Sequence, residues 1–309
     1  MSIEQINGVC AVFVCYFPDR GLLGQALDAL RPQVGGIVVV DNDAESEVRC
    51  WLKERAAYDG VIHLIPGSNI GVAGGHNLGT QWASANGFSH VLLMDQDSIC
   101  APDMVAKLYH TLMRLNGSSR GDVAAIGPQI IDARHGKPYP FIRLRLTGNR
   151  IKVTGDYGAP VQTDILISSG TLVPIETLEI VGEMDSSLFI DNVDIDWCFR
   201  AASMGFKLYG LPSATMTHHL GDRVITIWFF GRWEIVVHKP LRLYYITRNR
   251  IRLYTRATTP RLWIAQDIYR LVAKFVIFSL FVSPRKQNAA MMTSGLIDAF
   301  AKSKDTAHR

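Results

Sequence analysis

The sequence predicts an α/β fold built on a mostly parallel, doubly wound sheet, followed by a C-terminal helical region. Three observations predict it. Short runs rich in β-branched residues alternate with helical patterns through the first half of the chain, as stacked strand-helix units require. Two of those runs end on an aspartate, at Asp41 and Asp95. Past residue 222 the composition turns aromatic and basic, and helical patterns follow.

In order, residues 8–16 read as the opening strand, 37–40 as a second ending at Asp41, 61–65 as a third, and 90–94 as a fourth ending at Asp95. Residues 123–127 close the series. Leu22, Ala26 and Leu30, and similar spacings across 73–85, give the apolar faces of helices packed on a sheet. Residues 128–160, rich in Gly, Pro and Arg, read as a loop-rich insertion in which Ile142, Leu144 and Leu146 alternate like a hairpin. These features divide the chain into a domain over residues 1–222 and a helical region over 223–309. The polar end, 302–309, is expected to fray.

A chain of 309 residues with 48% hydrophobic and 19% charged content can bury a large core. Its 32 basic and 28 acidic residues leave a formal charge of +4, too balanced for a nucleic-acid binder with a basic stripe. The cysteines Cys10, Cys15, Cys50, Cys100 and Cys198 form neither a C-x-x-C pair nor zinc spacing, which suits a reducing, cytoplasmic compartment. The first eight residues lack the pattern of a signal peptide. The longest apolar run, 275–282, falls far short of the roughly 20 residues that span a bilayer.

Ligands of open α/β sheets bind beyond the carboxyl ends of the strands, so acids placed there are the first functional candidates. In Leu92-Leu93-Met94-Asp95-Gln96-Asp97-Ser98, two carboxylates stand two residues apart where an apolar strand breaks. A divalent cation, Mg2+ or Mn2+, would relieve their desolvation and would share them with phosphate oxygens of a nucleotide-sugar diphosphate. The segment from Gly67 to Asn77 is a glycine-rich loop opening a helix, whose amides could approach a nucleotide. It lacks both the P-loop lysine and the G-x-G-x-x-G pattern, which argues against a dinucleotide-binding dehydrogenase.

Asp191, Asp194 and Asp196 form a second acidic cluster at a helix start, more acid than capping needs, and one of them could act as a general base. His218 and His219 follow a strand-like run, and one of the pair is a candidate metal or diphosphate ligand.

Together these segments resemble the inverting glycosyltransferases of family 2, with the nucleotide-sugar-binding GT-A fold, and within them the bacterial rhamnosyltransferases. The carrying residues are Val39-Val40-Asp41-Asn42, the run from Asn69 to Asn77, Met94-Asp95-Gln96-Asp97-Ser98, Ser169-Gly170-Thr171, the run from Asp194 to Arg200, and His218-His219-Leu220-Gly221. Further on, Tyr244-Tyr245-Ile246-Thr247-Arg248-Asn249 is similar to the rhamnosyl subgroup.

The resemblance implies that Asp41, Asn69, Gly71, Gly74, Asn77, Asp95 and His218 contact the donor, and that Asp97, Asp95 and His218 hold the metal. It assigns Asp194 as catalytic base, and places Ser169, Gly170, Asp196 and Arg200 on the acceptor side, with Asp196 and Arg200 also organising the helix start. An aspartate-asparagine pair, Asp191-Asn192, stands where a glutamate often precedes the base, which keeps Asp191 and Asp196 in play beside Asp194.

The activity implied is transfer of rhamnose from dTDP-L-rhamnose to a saccharide or lipid-linked acceptor in O-antigen or other surface-polysaccharide synthesis. Two alternatives stand beside it: a UDP-sugar-dependent enzyme of the same fold, and a non-catalytic nucleotide-sugar-binding subunit. Between Arg261 and Arg285, Trp263, Ile268, Leu271, Val272, Phe275 and Phe278 fall near one helix face. That face is expected to meet either the inner surface of the cell membrane or a second copy of the chain.

Overall fold

The structure, a computed structural model, describes residues 3–42, 46–118, 122–146, 150–151, 158–218, 223–228 and 232–301. The first strands and helices run β1 (Ile6–Cys15), α1 (Arg20–Leu30), β2 (Val34–Asp41), α2 (Ser46–Asp59), β3 (Ile62–Leu64), α3 (Gly71–Ala85) and β4 (His90–Asp95). Next come β5 (Ile99–Cys100), α4 (Met104–Ser118), β6 (Val123–Asp132), β7 (Phe141–Ile142), β8 (Arg150–Ile151), β9 (Val161–Thr163), β10 (Thr171–Pro174) and α5 (Ile175–Val181). The chain continues through α6 (Val193–Ser203), β11 (Lys207–His218), β12 (Arg223–Trp228), β13 (Arg232–Val237), α7 (Pro240–Tyr254), α8 (Arg261–Leu280) and α9 (Arg285–Phe300).

The main sheet has the order β3-β2-β1-β4-β10-β6-β11-β5. Strands β1 to β4 are mutually parallel and β11 is parallel to β6, while β10 enters between β4 and β6 antiparallel to both. The mostly parallel sheet predicted from the sequence is therefore present, with a reversed strand at its centre. That strand was hidden by its length: Thr171–Pro174 is too short to show a period.

Alternation along β1 explains the double winding. Val9, Ala11, Phe13 and Cys15 join the core under α1 and α4, whereas Cys10 and Val12 join the core under α3 and α6. Helix α3 lies against β1 because it carries glycine where the two meet. A β-carbon on Gly79 would stand 2.2 Å from a Val12 methyl.

Three sequence expectations need amending. The hairpin expected around Ile142, Leu144 and Leu146 is formed by Phe141–Ile142 against Arg150–Ile151, leaving Leu146 exposed. The region after residue 222 opens with an antiparallel hairpin, β12 against β13, and becomes helical only at Pro240. In α8, Trp263, Leu271 and Phe278 are buried while Ile268, Val272 and Phe275 are exposed, so the single apolar face expected there is two. His219, the boundary at residue 222 and the tail 302–309 lie outside the described residues.

Sheet topology positions the site. The chain leaves β1 for β2 on one side and returns to β4 on the other, which makes the carboxyl end of β1 a switch point where open sheets bind ligands. Asp41 pairs in register with Cys15 and Asp95 with Val14, so both acids flank that end. Replacing Gly79 with valine should destabilise the fold by about 2–3 kcal/mol through overpacking against β1, read as a lower urea midpoint at unchanged slope.

Candidate active site

At the end of β4 the backbone breaks into a turn that is pinned to β1. Gln96 accepts a hydrogen bond from the Tyr16 amide at 2.7 Å and donates to the Tyr16 carbonyl at 3.2 Å. With the middle residue so engaged, Asp95 and Asp97 both turn toward His218 at the end of β11. The His218 Nε2 lies 3.7 Å from Asp95 and its Nδ1 3.3 Å from Asp97. One ligand atom from each of the three lies within 4.8 Å of the others.

Two carboxylates and an imidazole at that separation could hold a divalent cation. The charges support the fit. Burial pushes the Asp95 carboxyl above its usual range, aided by Asp97 and Asp191 and opposed by His218 and Arg242. Burial pulls the His218 imidazole down, but its bond to Asp97 and the charges of Asp95 and Asp97 outweigh that and hold it above its ordinary value. This corner has an excess of negative charge, which a cation would neutralise.

A buried hydroxyl pair braces the corner from behind. Ser169 Oγ accepts the Asp95 amide at 3.1 Å and donates to Ser98 Oγ at 2.7 Å, and Ser98 Oγ meets His218 Nδ1 at 2.7 Å. Both serines are fully buried. Engaging Nδ1 in this way leaves Nε2 as the ligating atom, the arrangement by which outer-shell groups orient a metal histidine.

The same turn reaches the second acidic cluster. The Ser168 amide, next in chain to Ser169, bonds the Asp194 carboxylate, which also accepts the Ile195 amide at 2.8 Å. Asp194 borders a small apolar cavity with Leu93, Leu166, Val173, Met184 and Trp197. Burial there raises its carboxyl from 3.8 to about 6, with Asp95 and Asp191 pushing the same way and the backbone donors opposing. Asp194 is thus a half-buried carboxylate poised near neutrality, linked through Ser168 and Ser169 to the metal corner.

The loop before Asp194 is held in an unfavourable conformation. Phe189, Asp191 and Asn192 all have positive φ, at 65°, 64° and 64°. Such residues persist only where their surroundings over-determine them, at a cost of about 1–3 kcal/mol each. Here α7 supplies the constraint. The fully buried Asn249 donates to the carbonyls of Leu188, Ile190 and Asp191, each at 2.8 Å. Arg248 donates to the Ser187 and Leu188 carbonyls, and Arg242 grips Asp191 with bonds of 3.1–3.2 Å. Phe189 stacks on Tyr245 at 5.1 Å.

The remaining expected site residues serve mainly to build this frame. Asn69 Oδ1 accepts the Gly71 amide, Asn42 Oδ1 the Ile70 amide and the Phe189 carbonyl the Ala73 amide, so three of the loop amides expected to face a nucleotide already have partners. Gly71 has φ +72° and would bring a β-carbon to 2.5 Å from the Phe189 carbonyl. Asn77 is clasped to the backbone of Met184 in both directions, and with Gly74 lines an open groove of about 310 Å³ beside Glu183.

Asp41 is buried, its carboxylate bonded by Arg49 at 2.9 Å and by His63 at 3.1 Å. Asp196, also buried, lies between Arg200 and Arg256, and Arg200 donates onward to the Val181 and Glu183 carbonyls. Gly170, at φ +81°, packs its Cα against Pro128 and donates its amide to the Leu93 carbonyl. Ser169, Gly170 and Asp196 are therefore buried and Arg200 half-buried, with Asp196 and Arg200 organising the start of α6 as expected. Ser98, Arg242 and Asn249 complete the site without having been singled out in the sequence. Two of them lay in segments that carry the resemblance, Ser98 in Met94–Ser98 and Asn249 in Tyr244–Asn249.

A carboxylate-imidazole corner able to hold a cation, with the raised carboxyl of Asp194 within its electrostatic reach, has the donor chemistry that expulsion of a diphosphate and activation of a hydroxyl require. Sequence comparison agrees: the family model described as Glycosyltransferase like family 2 matches residues 8–245, and the chain belongs to that family. It is a glycosyltransferase with the GT-A fold.

Among curated proteins it is similar to dTDP-rhamnosyl transferase RfbF of Shigella flexneri, 30% identical over 94% of each chain. It is also similar to galactofuranosyltransferase GlfT1 of Mycolicibacterium smegmatis, 27% identical over 86% of this chain and 90% of that one. Among solved structures, GalNAc-T7 with UDP, GalNAc and Mn2+ superposes with a TM-score of 0.62 at 12% identity, covering 94% of this chain and 56% of the other. The Pyrobaculum calidifontis mannosyltransferase PcManGT with GDP-Man and Mn2+ gives 0.53 at 12% identity, covering 96% and 76%. At such identities these likenesses show the fold alone.

Substituting Asn249 with alanine removes a donor shared by three carbonyls, of which that of Leu188 keeps Arg248. The loss should cost about 1–3 kcal/mol in a denaturant titration and lower kcat more than it raises the donor KM. Aspartate at the same position, unable to donate, should not restore turnover.

Proposed function

We propose that the protein is a metal-dependent, inverting rhamnosyltransferase that takes L-rhamnose from dTDP-L-rhamnose and places it on a saccharide, free or lipid-linked, during assembly of a surface polysaccharide such as O-antigen. The observation that carries the reaction type is the connection of Asp194 to the Asp95, Asp97 and His218 corner through Ser168 and Ser169. The rhamnosyl donor is supported by the likeness to RfbF over nearly the whole of both chains.

In this reading Asp95, Asp97 and His218 hold Mg2+ or Mn2+. When bound, the ion neutralises charge developing on the departing diphosphate. Asp194 accepts the proton of the attacking acceptor hydroxyl, and a single displacement at the anomeric carbon inverts its configuration. A base with a carboxyl raised toward neutrality is better matched to that task than an ordinary aspartate. Arg242, bonded to Asp191 and opposing the charge on Asp95, keeps the loop beside the base in place. This reading puts transfer on the cytoplasmic side, in keeping with cysteines that form no C-x-x-C pair. A UDP-sugar donor is the second reading, and it has only the fold-level likeness to UDP-bound structures behind it.

Thermal-shift measurements against dTDP-rhamnose, UDP-hexoses and GDP-mannose, each with and without Mn2+, separate these readings. Ligand at about 100 times its Kd adds about 2.7 kcal/mol to apparent stability. Stabilisation by dTDP-rhamnose that needs Mn2+, and that is absent in Asp97→Ala, is expected; stabilisation by a UDP-sugar alone would replace the donor assignment.

Transfer should fall as pH drops through about 6, because the acting form of Asp194 is the carboxylate and its carboxyl titrates there. Asp194→Asn should abolish transfer while keeping donor binding. Because the native state disfavours the charged form, this variant should also melt higher than the parent at pH 7.5. Normal turnover by the variant would remove Asp194 from the mechanism.

A further inference from the structure

We propose that the outer face of α8 docks on an anionic lipid bilayer. Ile268, Val272, Phe275, Val276, Leu280 and Phe281 are each between 38% and 59% exposed. Ile268, Val272, Val276 and Leu280 follow one another at four-residue spacing along α8, with Phe275 beside Val276, and form one stripe that ends at Phe281 just past the helix. Isolated exposed apolar residues need no explanation, but a stripe of this length on one helix marks a contact surface. The opposite face is committed to the protein: Trp263, Asp267, Leu271 and Phe278 are buried, and Asp267 takes the Tyr254 hydroxyl and Arg250. The stripe is thus not a mispacked core face.

Charge identifies the occupant. Exposed cations border the stripe: Arg261 and Arg270 on α8, and Arg285 and Lys286 directly after Phe281 and the turn. The acids of residues 261–301 are Asp267, which is buried, and Asp298, which takes the Tyr244 hydroxyl at 2.9 Å. An apolar stripe bordered by these cations, with no exposed acid among residues 261–301, suits the headgroup region of an anionic membrane. A twofold contact with a second copy would set the same cations against each other. Because no helix among the described residues is long and apolar enough to cross a membrane, the contact lies along the surface.

Docking through α8 would fix the active site at a set height. Helix α8 packs with α7 and α9 in one apolar cluster, and α7 holds the Phe189–Asn192 loop through Arg242, Arg248 and Asn249. An acceptor anchored in the same bilayer would then meet Asp194 by diffusion in two dimensions.

The test is co-sedimentation of the full chain with vesicles of phosphatidylcholine alone and of phosphatidylcholine mixed with phosphatidylglycerol. Binding is expected on the mixed vesicles and should weaken at high salt. Arg285→Glu combined with Lys286→Glu should reduce partition by about 30-fold or more, and Val272→Asp combined with Val276→Asp by about 10-fold or more. The donor-induced thermal shift should remain at the parent's value in both. Absence of binding to mixed vesicles, equal binding to both compositions, or unchanged partition of the variants would overturn the proposal. So would a dimer in light scattering that the Val272/Val276 variant dissociates, since this would assign the stripe to a second copy. Donor binding is measured without vesicles, so failure here leaves the transferase assignment untouched.

Discussion

Everything at the active site follows from crowding the carboxylates of Asp95, Asp97, Asp191 and Asp194 into one partly desolvated cleft. Such groups repel one another and lose hydration, so each must be compensated by a cation or a donor, or else move toward its protonated form. The structure uses all three routes. Asp191 is gripped by Arg242, Asp97 faces His218, and the Asp194 carboxyl is raised to about 6. The shortfall that remains at Asp95 is the electrostatic basis of a cation site.

The rest of the fold serves to keep those charges together. Gln96 ties the turn after β4 to β1, and Ser169, just before the reversed strand β10, braces both Asp95 and Ser98. Backbone strain concentrates in the Phe189–Asn192 loop, where the helix carrying Asp194 begins. The bonds from Asn249 and Arg248 offset that strain, so α7 is as much a part of the site as the sheet. Buried ion pairs around Asp196, with Arg200 and Arg256, fix the same helix from its other side and join it to the end of α7.

This arrangement also separates two jobs that the sequence presents as one. The glycine-rich segment from Gly67 to Asn77 has the look of a phosphate-cradling loop, yet the Ile70, Gly71 and Ala73 amides are taken up by Asn42, Asn69 and the Phe189 carbonyl. Its glycines let α3 lie close to β1 and let the strained loop pass over the start of the helix. The contribution of this segment to the site is chiefly shape.

The sequence by itself determined the parallel half of the sheet, because strands covered on both faces leave unmistakable apolar runs, and it marked the acids at strand ends, because an aspartate terminating such a run must find a partner. It therefore singled out Asp95, Asp97, Asp194 and His218 as candidates, and the fold brings Asp95, Asp97 and His218 together. Only the tertiary structure could decide which acids are supports: Asp41 and Asp196 look as functional in sequence as Asp194, and what distinguishes them is an arginine brought from elsewhere in the fold, Arg49 to one and Arg256 to the other. The roles of Ser98, Arg242 and Asn249 were illegible for the same reason, although Ser98 and Asn249 lie in recognisable segments. A side chain's role here is set by its partner, and contacts across 50 to 120 residues of chain leave no periodic trace in the sequence.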